Sequence, residues 1–262
     1  MSEDYLDEVI NRWEILEALT GESCTLRELD ESLSTSRSTI HRACQNLQDL
    51  GVVEKADNEY ALTSLGTIVT TETEAYRTRL LTASRLERLL NVLDPTDVDI
   101  PLEYFGCAEV VTPQPRQAHN GLKRIINLIE ETDSLRMFSS IISPIYVDVA
   151  SENMEQGTTI DVIFDQYVLD VIFQEYTEEA QSAMEAGHMN VFVGENIPFE
   201  LFLADGKMGM AAHDHTARPQ VFVETDDHGA IAWANDLYEQ YKRESFQVTL
   251  DQLHSLPGMS VE

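Results

Sequence analysis

Three helical patterns in a row, followed by a short hairpin pattern, occupy residues 5–62 and leave few ways to fold this part of the chain. Apolar residues between Tyr5 and Leu19 recur at spacings of three and four, which predicts a first helix that ends near Gly21. Residues 25–33 form a second, short helical pattern. The first part of the chain is therefore expected to be largely helical.

The second and third helices carry start and stop signals. Thr25 precedes the second helix and Glu28 lies three residues later, which is the spacing of a capping box. The third helix is predicted to begin near Ser36 and to stop at Gly51. Its inward face is apolar and consists of Ile40, Cys44, Leu47 and Leu50.

Two short β-like runs, residues 52–55 and 60–62, follow with a four-residue polar connection, which predicts a small hairpin. Helix, short helix, tight turn, helix and hairpin is the order of a winged helix-turn-helix, in which the third helix enters the major groove of DNA. A helical hairpin used for protein contact is the alternative interpretation.

The chain is strongly acidic, with 47 acidic and 17 basic residues and a formal net charge of -30, yet 43% of its residues are hydrophobic. That hydrophobic content is too high for a disordered acidic polymer, so the acids are expected to coat folded surfaces. Such a coat repels nucleic acid unless salt screens it, and the screening length at about 1 M ionic strength is only about 3 Å. The composition favours a halophilic protein; an acidic mesophilic protein that binds basic partners is the alternative.

Residues 32–48 contain no acid, and this segment includes the start of the third helix. Arginine recognises guanine or phosphate through its forked donors, and serine and threonine hydroxyls reach phosphates or base edges. A helix N-terminus attracts phosphate through its free backbone N–H groups. The predicted DNA-binding residues are Ser36, Arg37, Ser38, Thr39, His41 and Arg42, with Lys55 at the base of the hairpin.

A long helical pattern covers residues 63–93, with Thr63 as its cap. Its apolar residues include Val69, Tyr76, Ala83 and Leu90 at intervals of seven, with Leu86 and Leu93 between them. This spacing predicts a helix that pairs with its copy in a homodimer. The alternative is a helix packed on the core of its own domain.

Residues 93–101 (LDPTDVDIP) contain two prolines and three aspartates and break the helical pattern. We therefore expect two domains, residues 1–93 and 102–262, with residues 94–101 as linker. In the second domain, strand and helix patterns alternate until four strand patterns follow one another from residue 189 to 224, with Asp205-Gly206 as a hairpin turn. The predicted fold class is α+β, with a mixed α/β sheet in the second domain.

Polar or aromatic residues border several predicted strand ends in the second domain and are candidate ligand-binding residues: Ser143, Tyr146, Asp165, Tyr167, Phe199 and Phe202. His213, Asp214 and His215 have metal-ligand chemistry, but a polar turn between two strands is the favoured interpretation, and no metal site is predicted. No cofactor motif occurs in the chain.

Three cysteines without C-x-x-C spacing predict neither a disulfide framework nor a zinc finger. A redox-sensor role for Cys44 stays open as an alternative to simple packing. The N-terminal segment lacks the regions of a signal peptide, and no apolar run approaches membrane-spanning length. A cytoplasmic protein with no membrane association is expected.

Residues 26–66 resemble the winged-helix domain of archaeal transcriptional regulators related to the ArsR and MarR groups. The second half is similar to the middle domain of methanogenesis regulatory proteins, common in haloarchaeal regulators. Four segments carry this second resemblance: AEVVTPQP (108–115), ISPIYVDV (142–149), PFELFLADGKMGMAAHD (198–214) and ETDDHGAIAWANDLYEQYKRES (224–245).

The resemblance implies a dimeric regulator of double-stranded DNA whose second domain senses a small molecule and is distantly related to the phospholipase D fold. The H-x-K pattern of phospholipase D enzymes is missing, because no histidine in the chain has a lysine two residues later. An enzyme is therefore not expected. A protein-interaction module, or a metal or ligand sensor without specific DNA binding, is the alternative function.

Overall fold

The computed structural model describes residues 3–93, 96, 98–114, 120–214 and 218–255. It divides into two compact units, Met1–Leu81 and Thr82–Glu262, and each unit is described by itself. The elements of the first unit, in chain order, are α1 (Glu3–Asn11), α2 (Trp13–Ala18), β1 (Cys24–Thr25), α3 (Leu26–Ser32), α4 (Arg37–Asp49), β2 (Val53–Ala56), β3 (Glu59–Leu62) and α5 (Ser64–Arg85), whose last four residues lie in the second unit.

Helices α3 and α4 begin as the sequence predicts. The Thr25 hydroxyl accepts a hydrogen bond from the Glu28 backbone N–H, and the Glu28 carboxylate accepts one from the Thr25 N–H, which completes the capping box. Ser36 caps α4, and Gly51 follows it with a φ of +73°. The α4 side chains Ile40, Cys44 and Leu47 are fully buried in the core of the first unit.

The hairpin of β2 and β3 turns through Asp57 and Asn58, both of which have positive φ. A two-residue turn with this geometry matches the right-handed twist of the strands, and Asn and Asp tolerate it well. Strand β1 pairs antiparallel with β3, so the described residues of this unit contain a three-stranded sheet in the order β1-β3-β2. The hairpin thus joins the segment before α3 to the segment after α4.

The sequence predicts one helix over residues 63–93, but the structure contains two helices in this range. The first is α5, and the second is α6 (Glu87–Leu93), which begins after Leu86. Leu86, Leu89 and Leu93 are buried in the core of the second unit. The boundary between the compact units therefore lies twelve residues before the break expected at residue 93. Helical periodicity specifies a buried face but does not specify which sheet or helix covers it.

The expected linker, residues 94–101, lies partly outside the described residues, since 94, 95 and 97 are not described. Within the described part, Ile100 is buried in the same core as Leu93. The segment is therefore packed against the second unit at this point, even though its prolines and aspartates are typical of a linker.

The remaining elements belong to the second unit. They are a 3-10 turn (Leu102–Phe105), β4 (Glu109–Val111), α7 (Asn120–Glu130), β5 (Ser134–Ser139), α8 (Pro144–Glu155), β6 (Thr159–Phe164), α9 (Gln166–Glu175), α10 (Thr177–Glu185), β7 (Met189–Val193), β8 (Glu200–Ala204), β9 (Lys207–His213), β10 (Pro219–Thr225), α11 (His228–Arg243), β11 (Phe246–Gln247) and α12 (Leu250–Ser255). The spacing of Leu122, Ile125, Ile126 and Ile129 predicts a helix over residues 117–131, and the first residues of that range lie outside the described part of the chain.

The described strands of this unit form one eight-stranded sheet in the order β11-β7-β6-β5-β8-β9-β10-β4. Strands β5, β6 and β7 are parallel, and the other pairings are antiparallel. The predicted mixed sheet is thus confirmed. The turn between β8 and β9 is made by Asp205 and Gly206, with Gly206 at a φ of +72°, as its sequence predicts.

Alternate residues of β8 enter two different cores. Leu201 and Leu203 pack on the face that also holds α6 and α11, and Phe202 packs on the face covered by α7, α8, α9 and α10. This alternation follows from the two-residue repeat of a strand. Glu200 shares the face of Phe202, so a carboxyl group lies among the apolar side chains of that second core.

Candidate nucleic-acid interface and candidate ligand cavity

The N-terminus of α4 presents a cluster of hydroxyl groups. Ser36 Oγ accepts a hydrogen bond from the Thr39 backbone N–H at 3.4 Å. The same oxygen lies 3.1 Å from Ser38 Oγ and 2.9 Å from Thr39 Oγ1. All three side chains are exposed, and the first turn of α4 contains no acid. An anion approaching this end of the helix meets donors and the positive end of the helix dipole.

The outer face of α4 continues with Arg37, His41 and Arg42, all exposed. An acid near this face is Glu8 of α1, whose carboxylate accepts hydrogen bonds from Asn46 Nδ2 at 2.8 Å and from Arg12 Nε at 3.0 Å. The Asn46 hydrogen bond is the main cause that lowers the pKa of Glu8, and the charges of Arg12 and Arg42 add to it. Glu8 is thus already paired within the first unit.

Lys55 lies on β2 and is exposed, and its Nζ atom is 4.9 Å from the centroid of the Tyr60 ring. Tyr60 is buried, so this cation–π contact holds the lysine stem against the hairpin while the ammonium group faces solvent. The structure therefore places all seven predicted DNA-binding side chains on the surface of the first unit.

Cys44 lies on the inner face of α4 with no exposed surface. Burial raises the pKa of its thiol to about 11, and the charge of Lys55 lowers it by less. A thiol with such a pKa is almost entirely protonated at neutral pH, and the thiolate is the reactive form. The structure therefore favours simple packing over the redox-sensor interpretation.

The six predicted ligand-binding residues do not form one site. Ser143 and Tyr146 line a common cavity beside α8. Asp165 caps α9 through a 2.8 Å hydrogen bond from the Val168 N–H, and Tyr167 is largely exposed. Phe199, which precedes β8, and Phe202, which lies within it, are buried in the two different cores of the second unit.

The cavity that Ser143 and Tyr146 share has a volume of about 260 Å³ and is also lined by His213, at the end of β9. Behind His213 lies Glu200, which is completely buried, and the His213 Nδ1 atom is 3.5 Å from Glu200 Oε2. Ser139 Oγ donates to Glu200 Oε1 at 2.8 Å. Neither Glu200 Oε2 nor His213 Nδ1 has a hydrogen-bond partner among the described residues.

Burial changes the proton affinity of all three titratable groups at this cavity. It raises the pKa of Glu200 to about 8, against a smaller opposing effect of the Ser139 hydrogen bond, and lowers the pKa of His213 to about 4. It also raises the pKa of Tyr146, with a further contribution from the Glu200 charge. At neutral pH the site therefore favours a protonated carboxyl, a neutral imidazole and a neutral phenol.

Glu200 is a residue that our sequence interpretation missed. Its signal is a single acid within the otherwise apolar strand ELFLA. An acid at a position whose strand neighbours are all apolar is rare in a core unless the acid is paired or protonated.

The pKa of Glu200 gives a pH prediction for stability. Between pH 7 and pH 9 the unfolded chain holds no proton on this group, whereas the folded protein loses one as the pH passes about 8. The free energy of unfolding therefore falls as the pH rises. Glu200→Gln, which keeps the shape and cannot ionise, is expected to remove this loss, about 1.4 kcal/mol over this pH interval.

Thermal or denaturant unfolding of the wild type and of Glu200→Gln at pH 7 and pH 9 measures how much the unfolding free energy of each protein changes with pH. His213 contributes little in this interval, because it is neutral in the folded protein and nearly so in the unfolded chain. A wild-type protein whose stability falls no more than that of the variant would contradict the raised pKa of Glu200.

Asp214 makes a polar turn at the end of β9. Its carboxylate accepts hydrogen bonds from the Arg218 N–H at 3.1 Å and from Gln220 Nε2 at 3.0 Å. His215 lies outside the described residues, and within them no three His, Cys, Asp or Glu side chains form a group suited to a metal ion.

No helix in the described residues has both the length and the apolar content needed to cross a membrane.

Two segments of the chain match protein-family models. Residues 118–244 match the model described as "Methanogenesis regulatory protein FilR1, middle domain", and residues 2–85 match the model described as "HVO_A0261 N-terminal domain". No curated protein sequence matches the chain. The matches support a transcription regulator as the class of protein, and the first agrees with the resemblance found in residues 108–245.

Solved structures with a similar backbone include three proteins of different kinds. The archaeal chromatin protein TrmBL2 is 16% identical, with coverage of 94% of this chain and 100% of that chain and a TM-score of 0.45. The phospholipase D family member Nuc from Salmonella typhimurium is 12% identical, with coverages of 54% and 98% and a TM-score of 0.38. Pseudomonas aeruginosa HmgR is 12% identical, with coverages of 92% and 98% and a TM-score of 0.25. At these TM-scores the similarities carry no argument about function.

Proposed function

We propose that this chain is a DNA-binding transcriptional regulator that acts as a homodimer. In this proposal the first unit is a winged helix-turn-helix, α4 is its recognition helix and the β2–β3 hairpin is its wing. The second unit senses a small molecule and biases the affinity for DNA. The acidic surface suits a haloarchaeal cytoplasm, where molar salt screens the repulsion between carboxylates and phosphates.

The observation that carries the proposal is the exposed face of α4, where Arg37 and Arg42 lie in a segment of 17 residues without acid in a chain of net charge -30. Carboxylates on this face would oppose the phosphates of DNA, whereas guanidinium groups and hydroxyls bind them. A protein-contact face has no such reason to exclude acids in an otherwise acidic chain.

Chromatin immunoprecipitation with sequencing tests the proposal directly. A small number of sharp peaks at promoters is the expected result, each containing a two-fold symmetric sequence with half-sites about one helical turn apart. Binding spread evenly over the genome, or no enrichment at all, would favour a protein-interaction module or a sensor without specific DNA binding.

The dimer is proposed to form through α5. Leu65, Ile68, Tyr76 and Leu80 are each about half exposed or more, and their spacing places them along one face of this helix. This face differs from the seam expected from the sequence, because Leu86 and Leu93 of that seam are buried in the second unit. A row of exposed apolar side chains on a 22-residue helix suits pairing with a second copy.

Ile68→Glu is expected to convert the dimer to a monomer, because the change places a carboxylate in the apolar face between two helices. Sedimentation equilibrium in molar KCl measures the mass of the particle. Thr78→Glu is the matched control, since Thr78 is exposed on the same helix but outside that face. A dimer that persists in the Ile68 variant would place the interface elsewhere.

Ligand sensing is proposed because the second unit contains a cavity with three polar side chains in its wall. A ligand regulates DNA binding only if it binds two conformations of the protein with different affinity.

We also propose that this unit has no enzymatic activity, since the chain lacks the H-x-K pattern of phospholipase D enzymes.

A further inference from the structure

The described residues that line the cavity beside α8 include no carboxylate, in a protein that has 47 acidic residues. Its described lining residues are apolar except for Ser143, Tyr146 and His213. Ser143 and Tyr146 belong to the start of α8, and His213 is the last residue of β9. A ligand that fills this cavity needs an apolar body and one polar group directed at them.

We propose that this cavity binds the carboxylate of a small, largely apolar organic acid, with His213 and Tyr146 donating hydrogen bonds to it and Glu200 positioning the proton of His213. The inference gives the chemical class of the effector and rests on the proposed function for its regulatory meaning. Binding itself is measured without DNA, so the two proposals fail separately.

The pairing of Glu200 with His213 determines which ring nitrogen carries a proton. Their Oε2 and Nδ1 atoms are 3.5 Å apart, are both buried and have no other partner among the described residues. A proton on the Glu200 carboxyl satisfies both atoms, because the carboxyl then donates to Nδ1 of His213. The neutral imidazole in this arrangement carries its own proton on Nε2, which is therefore a hydrogen-bond donor.

Tyr146 adds a second donor to the same cavity. Its hydroxyl stays protonated because burial raises its pKa. Glu200 itself does not line the cavity, so it offers no carboxylate to an amine ligand. Two donors and no exposed carboxylate favour an anionic acceptor over a cation.

The N-terminus of α8 favours a negative charge at the same place. Ser143 is its N-cap residue and lines the cavity, but its side chain makes no capping hydrogen bond. Residue Pro144 follows and has no N–H group. The positive end of this twelve-residue helix is thus without a side-chain acceptor, and a bound carboxylate would interact favourably with it.

The test uses the full chain in molar KCl, with benzoate and phenylacetate as probes and benzamide as the uncharged counterpart of benzoate. Saturation-transfer NMR titrations and calorimetry are expected to show saturable binding of at least one carboxylate, with benzamide at least about 10-fold weaker. Benzamide binding as tightly as benzoate, or no saturable binding of either acid, overturns the proposal.

His213→Ala is expected to weaken the binding of the acid about 10-fold or more, because it removes a hydrogen bond to a charged group. His188→Ala is the matched control, since His188 also has a buried and unpartnered Nδ1 atom but does not line this cavity. If the alanine variant does not fold, His213→Gln and Tyr146→Phe measure the same contacts. Unchanged affinity in the folded variants overturns the proposal.

A pH profile distinguishes the positioning role of Glu200 from a merely structural one. Around the pair the titratable neighbours are Tyr146 of α8 and Asp214 after β9. Above about pH 8 Glu200 loses its proton, and its negative charge opposes a carboxylate ligand. The affinity of the wild type is expected to fall between pH 7 and pH 9, and the affinity of Glu200→Gln to stay constant. Equal profiles overturn the role given to Glu200.

Discussion

Replacing Arg37 and Arg42 together by alanine is expected to lower the affinity for the DNA site roughly 100-fold or more, without unfolding the protein. Each arginine that contacts a base or a phosphate contributes about 1–3 kcal/mol. Both side chains are exposed and make no contribution to the core of the first unit, so the fold is expected to persist. A mobility-shift titration with a fragment recovered from chromatin measures the loss, and circular dichroism measures the fold.

The matched control for charge is Arg88→Ala with Arg243→Ala, a pair of exposed arginines on α6 and α11. This double variant changes the net charge by the same amount and leaves α4 intact. A similar loss of affinity in both double variants would indicate a general effect of charge. Full DNA affinity in the variant with Arg37→Ala and Arg42→Ala would contradict the proposal that α4 is the recognition helix.

Gly66→Ala is expected to destabilise the first unit by about 3 kcal/mol or more, the largest effect on stability that we predict for one methyl group. An added Cβ at Gly66 would lie 2.0 Å from the backbone oxygen of Val52. That oxygen also accepts a hydrogen bond from the Thr63 N–H at 3.0 Å, so it cannot move without breaking the junction between α5 and β2. The clash involves backbone atoms, and no side-chain rotation relieves it.

Hydrogen exchange with mass spectrometry locates this loss, since protection is expected to fall in α4, β2 and α5 and to persist in the sheet of the second unit. Gly121→Ala is the control, because the nearest atom to its added Cβ is Phe222 Cβ at an ordinary 3.5 Å. Alanine also favours a helix over glycine, so this variant is expected to be as stable as the wild type or more so. Equal stability of the Gly66 variant would contradict the close approach of α5 and β2.

Local signals in the sequence predict the first unit well. The capping box of Thr25 and Glu28, the apolar face of α4 and the hairpin of β2 and β3 follow from rules that act within a few residues, although the connection has two residues where four were expected. Strands of the second unit were also predictable: the apolar runs at residues 159–164 and 189–193 predict two strands, and β6 and β7 have these bounds. Each of these patterns specifies its own geometry without help from distant parts of the chain.

The long helical pattern of residues 63–93 shows where such rules stop. The seven-residue spacing is consistent with a dimer seam, yet Leu86, Leu89 and Leu93 pack in the core of the second unit. The exposed apolar face consists of Leu65, Ile68, Tyr76 and Leu80, of which Tyr76 alone belongs to the expected seam. Periodicity indicates that a face is buried, but the partner that buries it depends on contacts between residues far apart in sequence.

The same limit applies to the cavity. Glu200, His213 and Ser139 come together because β8 pairs with both β5 and β9, and strand pairing is not encoded in the spacing of any single strand. Of the six ligand residues predicted from strand ends, Ser143 and Tyr146 line the cavity, and Phe199 and Phe202 face opposite cores.

The sequence alone determined the surface charge, the capping of α3 and the acid-free face of α4, because composition and local hydrogen bonding suffice for these. Only the tertiary structure decided that α6 packs on the sheet and that a buried carboxyl faces His213 across 3.5 Å. These features depend on the burial of groups from separate strands and helices, and burial changes both packing and proton affinity.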